Sequence, residues 1–194
     1  EEIRNVFSGK LTQLLTTNNI VTDVEMSLSS KGGRLVYNSD NNPMKVDFIP
    51  DSDLYMNQMG RIGMCMAPGR YGISIYNSAH ILNFYNQQKE EEEKHDWDRD
   101  LAKDLNRIRT TYGADVFVSL IRHSELHELH IPNLFDEVET RKMESIHFPI
   151  KDKWIPNSME GLIYLVDAII QRLKEGKAVV VHCNGGKGRT GTGE

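Results

Sequence analysis

The chain has 194 residues, of which 39% are hydrophobic and 26% are charged, as expected for one globular domain with or without an extension. Its net charge of −5 argues against nucleic acid or an acidic membrane as a general partner, and no apolar run is long enough for a membrane-spanning helix. The two cysteines, Cys65 and Cys183, are too few for a disulfide scaffold. We therefore expect a reducing compartment, the cytoplasm or the nucleus.

The first 57 residues predict a β-rich N-terminal extension. Short apolar segments are mixed there with Asn, Ser, Thr and Gly, and the alternation over residues 20–28 is typical of a strand. We expect the following domain to span residues 58–194, with an insertion at about 71–95 that carries four consecutive glutamates. The sequence has no signal-peptide pattern. Because it begins with Glu1 and lacks an initiator Met, we also expect it to be a fragment.

Helix and strand patterns alternate from about residue 96 to the end. An apolar stripe that begins at Trp97 predicts a helix, capped by Asp96 or Asp98 and ended by Gly113. The β-branched run at 114–121 predicts a strand buried on both faces of a parallel sheet. Similar patterns predict helices at 134–143 and 157–175 and strands at 145–150 and 178–181. We therefore predict an α/β fold with a central, mainly parallel sheet flanked by helices.

The stretch after the last predicted strand carries the chemistry. Five residues separate Cys183 from Arg189, and the amides of such a loop can converge on a tetrahedral anion. Gly185, Gly186 and Gly188 allow positive φ angles and a close approach of the backbone to the anion. Arg189 provides a planar fork that fits two phosphate oxygens, and a helix that begins near it directs its N-terminal dipole at the same point. The predicted phosphate-binding residues are Asn184, Gly185, Gly186, Lys187, Gly188 and Arg189.

A cysteine in such a positive field has its pKa lowered from about 8.5 to roughly 3.5–7.5, so we predict that Cys183 is a thiolate nucleophile. Thr190 follows the arginine and is predicted to donate a hydrogen bond to the sulfur, while His182 supports the loop. A phosphate ester also needs a proton for its leaving oxygen, and Asp152, on the loop before the last predicted helix, is the predicted general acid. Two weaker candidates for the acid lie within predicted helices, Asp136 and Asp167.

Other interpretations of the loop fit less well. A nucleotide-binding loop requires Ser or Thr after Gly-Lys, whereas Lys187 is followed by Gly188, and a dinucleotide fingerprint has a different glycine spacing. The plain alternative is that Cys183 is a buried core cysteine beside a glycine turn. The preceding apolar strand, the three glycines and Thr190 favour the catalytic interpretation.

These residues resemble the cysteine-dependent (Cys-x5-Arg) protein phosphatase superfamily, in particular its dual-specificity type. Three stretches are similar to the group around cyclin-dependent kinase inhibitor 3, or kinase-associated phosphatase. They are RIGMCMAPGR at 61–70, SELHELHIPNLF at 124–135 together with PIKD at 149–152, and HCNGGKGR at 182–189. The similarity runs from about residue 58 to residue 194, and it departs from the group at 71–95.

The resemblance implies a phosphatase-like fold in which Cys183 is the nucleophile, Arg189 binds the phosphate and Asp152 is the general acid, with no cofactor. It also implies that helices which normally follow the loop are truncated at Glu194. A chain that ends there is expected to be inactive, because Arg189 and its loop lose packing support.

Three functions are compatible with these residues. We expect a protein phosphatase that uses a phosphocysteine intermediate on a phosphorylated protein or peptide. Lys187 adds a charge over the anion and suggests a second function, a phosphoinositide or other small-molecule phosphatase, although enzymes of that type tend to carry a lysine where this chain has Asn184. The third is a non-catalytic phospho-binding module, which the intact set of Cys183, Arg189 and Asp152 argues against.

Two further features have simpler explanations. His123, His127 and His130 would share one face of a helix and could bind zinc, but no further ligand is placed to complete a site, so we predict a solvated segment and no metal. Cys65 lies in an apolar strand and is predicted to be a core cysteine, with a disulfide to Cys183 under oxidation as the alternative.

Overall fold

The fold is built around a five-stranded sheet. The structure, a computed structural model, describes residues 35–49, 59–74 and 95–191. The strands are β1 (Leu35–Tyr37), β2 (Asp47–Phe48), β3 (Ile62–Cys65), β4 (Tyr71–Ser74), β5 (His95–Asp98), β6 (Val116–Ser119), β7 (Glu144–His147) and β8 (Val179–His182). The large sheet has the order β2-β3-β8-β6-β7, and all its pairs are parallel except β2 with β3. A smaller sheet has the order β1-β5-β4.

Helices flank the large sheet. The described residues contain α1 (Leu101–Thr110), α2 (His123–Glu128), α3 (Leu134–Thr140), α4 (Met159–Lys174) and a 3-10 turn at Arg189–Gly191. Helix α3 packs against α1 and β7, while α4 packs against β8. The predicted α/β fold with a mainly parallel central sheet is therefore confirmed.

The two central strands form the middle of the core. Every residue of β6 and of β8 is buried, and Phe117, Val179 and Val180 have no exposed surface. Strands covered on both faces need apolar side chains at successive positions rather than alternate ones, and the sequences VFVS and VVVH supply them.

Helix α4 returns the chain from β7 to β8. Its N-cap is Ser158, whose hydroxyl accepts a hydrogen bond from the Gly161 amide at 3.0 Å. Leu165, Ile169 and Leu173 lie on its buried face. The helix therefore begins and ends close to the predicted positions and delivers the chain to the strand that precedes Cys183.

The predicted start of α1 is wrong. Residues His95–Asp98 form β5, which pairs with β4 on one side and β1 on the other, so neither Asp96 nor Asp98 caps a helix. The N-cap is Asp100, whose side chain accepts from the Lys103 amide at 2.9 Å. The two strands that pair with β5 are distant in sequence, so the local apolar stripe carried no sign of them.

Part of the predicted N-terminal extension belongs to the central fold. Strand β2 pairs with β3, and Met44 and Val46 are buried in the same core as β6 and β8. A domain boundary at residue 57 stays a prediction. The strand predicted at 20–28 and most of the predicted insertion lie outside the described residues. No helix within the described ranges is long and apolar enough to cross a membrane.

Candidate active site

The candidate site lies where the parallel strands end. In the sheet register His182, the last residue of β8, lies between Cys65 of β3 and Ser119 of β6. Cys183 follows directly and is 2% exposed. Its Sγ lies 3.9 Å from the hydroxyl of Thr190, a distance at which sulfur can take part in a hydrogen bond. The sheet edge that binds ligands in such folds therefore carries the predicted nucleophile.

The loop after Cys183 is held against the end of β3. The Ala67 amide donates to the carbonyl oxygen of Asn184 at 3.1 Å. Gly186 has a φ of 72°, and a Cβ placed on it would lie 2.7 Å from the carbonyl carbon of Cys65. Only glycine tolerates both the left-handed backbone and this close approach. Gly186 thus fixes the path of the loop.

The other loop glycines do not have this role. All three glycines allow a positive φ, and Gly186 alone among them adopts it. A Cβ on Gly188 would meet nothing within 4 Å, because this part of the loop does not press against β3. Lys187 is exposed.

Arg189 is held inside the site by Glu125. The Arg189 guanidinium donates two hydrogen bonds, both of 2.7 Å, to the two carboxylate oxygens of Glu125. A third goes to the carbonyl oxygen of Ile150 at 3.0 Å. Arg189 is 4% exposed and Glu125 3%, so the pair is shielded from water. A buried, bidentate pair fixes the plane of the guanidinium.

The charges of this pair support each other. Burial would raise the pKa of Glu125, but hydrogen bonds from the Arg189 side chain and the Arg122 backbone outweigh it and lower that pKa. Burial would lower the pKa of Arg189, but hydrogen bonding to Glu125 and the nearby negative groups raise it instead. The Glu125 carboxylate also accepts from the amide of Arg122 at 3.1 Å and from its Nε at 3.3 Å. Glu125 therefore stays ionised and links Arg189 to the end of β6.

Sequence reasoning missed Glu125. It lies 64 residues before Arg189, within the short helix α2. The available signal was its place just after a buried strand, at the sheet edge where the cysteine was also predicted.

Asp152 lies close enough to Arg189 to share the site. Its Oδ1 is 3.3 Å from a terminal nitrogen of the Arg189 guanidinium, and its side chain is 51% exposed. The loop that carries it follows β7, and the next residue, Lys153, has a φ of 60°. Beyond it the exposed Trp154 ring lies 4.6 Å from the Lys151 ammonium. The two weaker candidates for the acid, Asp136 and Asp167, lie within α3 and α4.

His182 is a buried neutral histidine. Its ring stacks on Phe117 with centroids 4.7 Å apart, and its Nδ1 lies 3.2 Å from the carbonyl oxygen of Cys183. Burial lowers the pKa of His182 to about 3. Its Nε2 has no hydrogen-bond partner among the described residues. The ring therefore packs beneath the nucleophile and contributes no positive charge at neutral pH.

The three histidines considered for zinc do not converge. His123 packs edge-on against His147, with ring centroids 4.7 Å apart. Helix α2 ends before His130, which stacks on Tyr71 at 4.5 Å. Within the described ranges, no group of three or more His, Cys, Asp or Glu side chains is arranged to hold a metal ion.

Cys65 is a buried thiol beside the loop. It is 3% exposed and, like Cys183, not bridged. Burial raises its pKa, and the charge of Cys183 raises it further. Cys65 therefore stays protonated at neutral pH, and the disulfide with Cys183 stays a prediction.

The chain is similar in sequence to a known protein family and to several known proteins. Residues 103–193 match the family PTP-SAK, described as "Swiss Army Knife protein, DSP-PTPase phosphatase domain". Cyclin-dependent kinase inhibitor 3 of Rattus norvegicus is 24% identical over 148 residues, covering 76% of this chain and 58% of the rat protein. The protein of the same name from Homo sapiens is 28% identical over 92 residues, covering 47% of this chain and 42% of that protein.

A solved structure is also similar. Kinase associated phosphatase, in a form whose catalytic-site cysteine is replaced by serine, matches with a TM-score of 0.56 and 20% identity, covering 76% of this chain and 68% of that one. The resemblance and the fold predicted from the sequence are confirmed by these matches. The chain spans 58% of the length of the rat relative.

Proposed function

Since residues 103–193 match a phosphatase domain of the dual-specificity class, we propose that this protein hydrolyses phosphate monoesters on phosphorylated proteins through a phosphocysteine intermediate. The observation that carries the proposal is that Asp152, from a distant loop, lies beside Arg189 of the loop that holds Cys183. Cys183 lies beside Thr190, and Arg189 lies 3.3 Å from Asp152. A core cysteine beside a glycine turn would not need a buried, ion-paired arginine or an acid on the neighbouring loop.

In the first step the Cys183 thiolate attacks phosphorus while the phosphate oxygens lie against the loop amides and Arg189. The sulfur–phosphorus bond forms as the bond to the ester oxygen breaks, and protonated Asp152 gives its proton to that oxygen. Arg189 binds the extra negative charge of the equatorial oxygens, and Glu125 keeps its guanidinium in place.

In the second step water attacks the phosphocysteine. Asp152, now a carboxylate, takes a proton from the water as the oxygen–phosphorus bond forms and the sulfur–phosphorus bond breaks. Thr190 donates a hydrogen bond to the departing sulfur, 3.9 Å from its hydroxyl in this structure. Inorganic phosphate leaves and the thiolate is restored.

The relatives favour phosphoproteins as substrates. One is named for inhibiting a cyclin-dependent kinase and another as a kinase associated phosphatase, and both names concern proteins rather than lipids. We accordingly propose a phosphoprotein substrate, with a location in the cytoplasm or nucleus, where reducing conditions keep Cys183 a thiol. The phosphoinositide alternative has no comparable support.

The test is phosphate release by the wild-type protein and by Cys183→Ser. We expect release from a phosphotyrosine or phosphothreonine peptide by the wild type and none above background by the variant, whose circular dichroism should be unchanged. Soluble inositol phosphates serve as the competing substrate. Equal release by Cys183→Ser and the wild type would refute the phosphocysteine mechanism, and a preference for inositol phosphates would refute the substrate class.

A further inference from the structure

A cavity adjoins the cysteine loop on its β3 side. Its volume is about 190 Å³, and its walls come from the segment before β2, the end of β3 and the loop at residues 185–187. Cys183, Arg189 and Asp152 are not among its lining residues. The cavity is therefore next to the candidate phosphate site, with the loop as the partition between them.

The charge of the cavity is positive. Lys45 and Lys187 are exposed on its rim, and neither makes an ion pair with any described carboxylate. Arg99 also lines it but is neutralised by Asp104, at 2.7 Å. Asp47 is the one acidic residue among those that line the cavity. Two lysines against one aspartate leave an excess positive charge that an anion can neutralise.

The inner walls are apolar and fixed. Met44 is 1% exposed and Cys65 3%, and the Arg107 Nε donates to the carbonyl oxygen of Met44 at 2.8 Å. Arg99 holds the segment before β2 in place by donating a hydrogen bond of 2.7 Å to the carbonyl oxygen of Asn42. A pre-formed cavity costs little to occupy, and this one suits a short methylene stem with an anionic end.

The position of the cavity determines what can reach it. Gly186 forms part of its wall and packs against the Cys65 backbone, so cavity and loop share one rigid element. A protein substrate whose phosphorylated residue enters the loop presents its neighbouring residues at that rim.

We propose that this cavity is a subsite for an anionic side chain that flanks the phosphorylated residue of the substrate. Lys45 and Lys187 bind the carboxylate or second phosphate, and the apolar wall receives its methylene groups. The subsite rests on the proposed phosphoprotein phosphatase function and adds a selection rule to it, namely a preference for phosphosites with an acidic neighbour.

The experiment uses phosphotyrosine peptides that carry Glu, Gln or phosphothreonine at each of the positions around the phosphotyrosine. We expect kcat/KM to be higher for Glu than for Gln at one position by about fivefold, the upper range for an exposed ion pair, and higher again for phosphothreonine. In Lys45→Glu this ratio should fall to one or below. Lys174→Ala, an exposed lysine at the far end of α4, is the matched control and should keep the ratio.

Peptide binding to Cys183→Ser separates this proposal from the proposed function. Fluorescence anisotropy should show the same Glu-over-Gln preference in Kd, and Lys45→Glu combined with Cys183→Ser should lose it. No preference at any position, or one that survives Lys45→Glu, overturns the subsite even if phosphate is released. If the preference is present in Kd but the wild-type protein releases no phosphate, the subsite stands and the catalytic function fails.

Discussion

The buried ion pair between Glu125 and Arg189 allows the most direct test of how the candidate site is held together. Replacing Glu125 by Gln keeps the side-chain shape and one acceptor oxygen. It removes the negative charge that faces the guanidinium of Arg189, a residue that is only 4% exposed. Removing one partner of a buried ion pair costs about 3–5 kcal/mol, because the remaining charge stays buried without compensation. Asp152 and the carbonyl oxygen of Ile150 still contact Arg189, so we expect a loss at the lower end, about 3 kcal/mol.

Activity should fall as well. Without the bidentate ion pair the guanidinium is held less firmly, and a misplacement of about 1 Å can lower the rate about 100-fold. The assays are urea unfolding for stability and kcat/KM on a phosphotyrosine peptide. Glu125→Asp keeps the charge but shortens the reach, and it should recover part of the stability and little of the activity.

The matched control is Glu137→Gln. Glu137 also binds an arginine, Arg141, at 2.6 Å, but the pair is spaced i,i+4 at the C-terminal end of α3 and the Glu137 side chain is 32% exposed. Such helix-surface pairs are worth about 0.3–0.5 kcal/mol, so this variant should be close to the wild type in both assays. If Glu125→Gln is as stable and as active as Glu137→Gln, Glu125 does not position Arg189 and the reasoning is wrong.

Three further outcomes are expected. Gly186→Ala should lower the free energy of unfolding in urea by about 3 kcal/mol, because its Cβ would lie 2.7 Å from the Cys65 backbone and its φ is 72°. Gly188→Ala is the control and should lose little stability, because its Cβ would meet nothing within 4 Å. Equal losses in the two variants would contradict this explanation. The pKa of His182 is lowered to about 3, below its unfolded value of about 6.5, so the unfolded chain takes up the proton first as the pH falls. The free energy of unfolding therefore decreases below pH 6.5, by about 2 kcal/mol at pH 5. Unfolding of His182→Asn at pH 7 and pH 5 should show a pH dependence weaker by that amount. Asp152→Asn should lower kcat about 100-fold or more on a phosphotyrosine peptide and less on an aryl phosphate with a good leaving group, while similar losses on both would argue against a general acid.

The sequence alone determined the parts of this protein that depend on local pattern. The continuous apolar runs of β6 and β8 indicated buried parallel strands, because a strand covered on both faces has no polar side. The apolar periodicity over residues 157–175 located α4, which spans Met159–Lys174. The loop could be recognised in the sequence because its cysteine, glycines and arginine lie within seven consecutive residues, 183–189.

Only the tertiary structure decided the contacts between distant segments. Strand β5 replaced the start of a predicted helix because its partners, β1 and β4, lie elsewhere in the chain. Glu125 reaches Arg189 across 64 residues, and its position after a buried strand placed it at the right sheet edge without identifying that partner. The left-handed φ belongs to Gly186, which packs against the Cys65 backbone at the end of β3, and to neither Gly185 nor Gly188. Local sequence specifies which conformations a residue can adopt, and packing between distant segments selects among them.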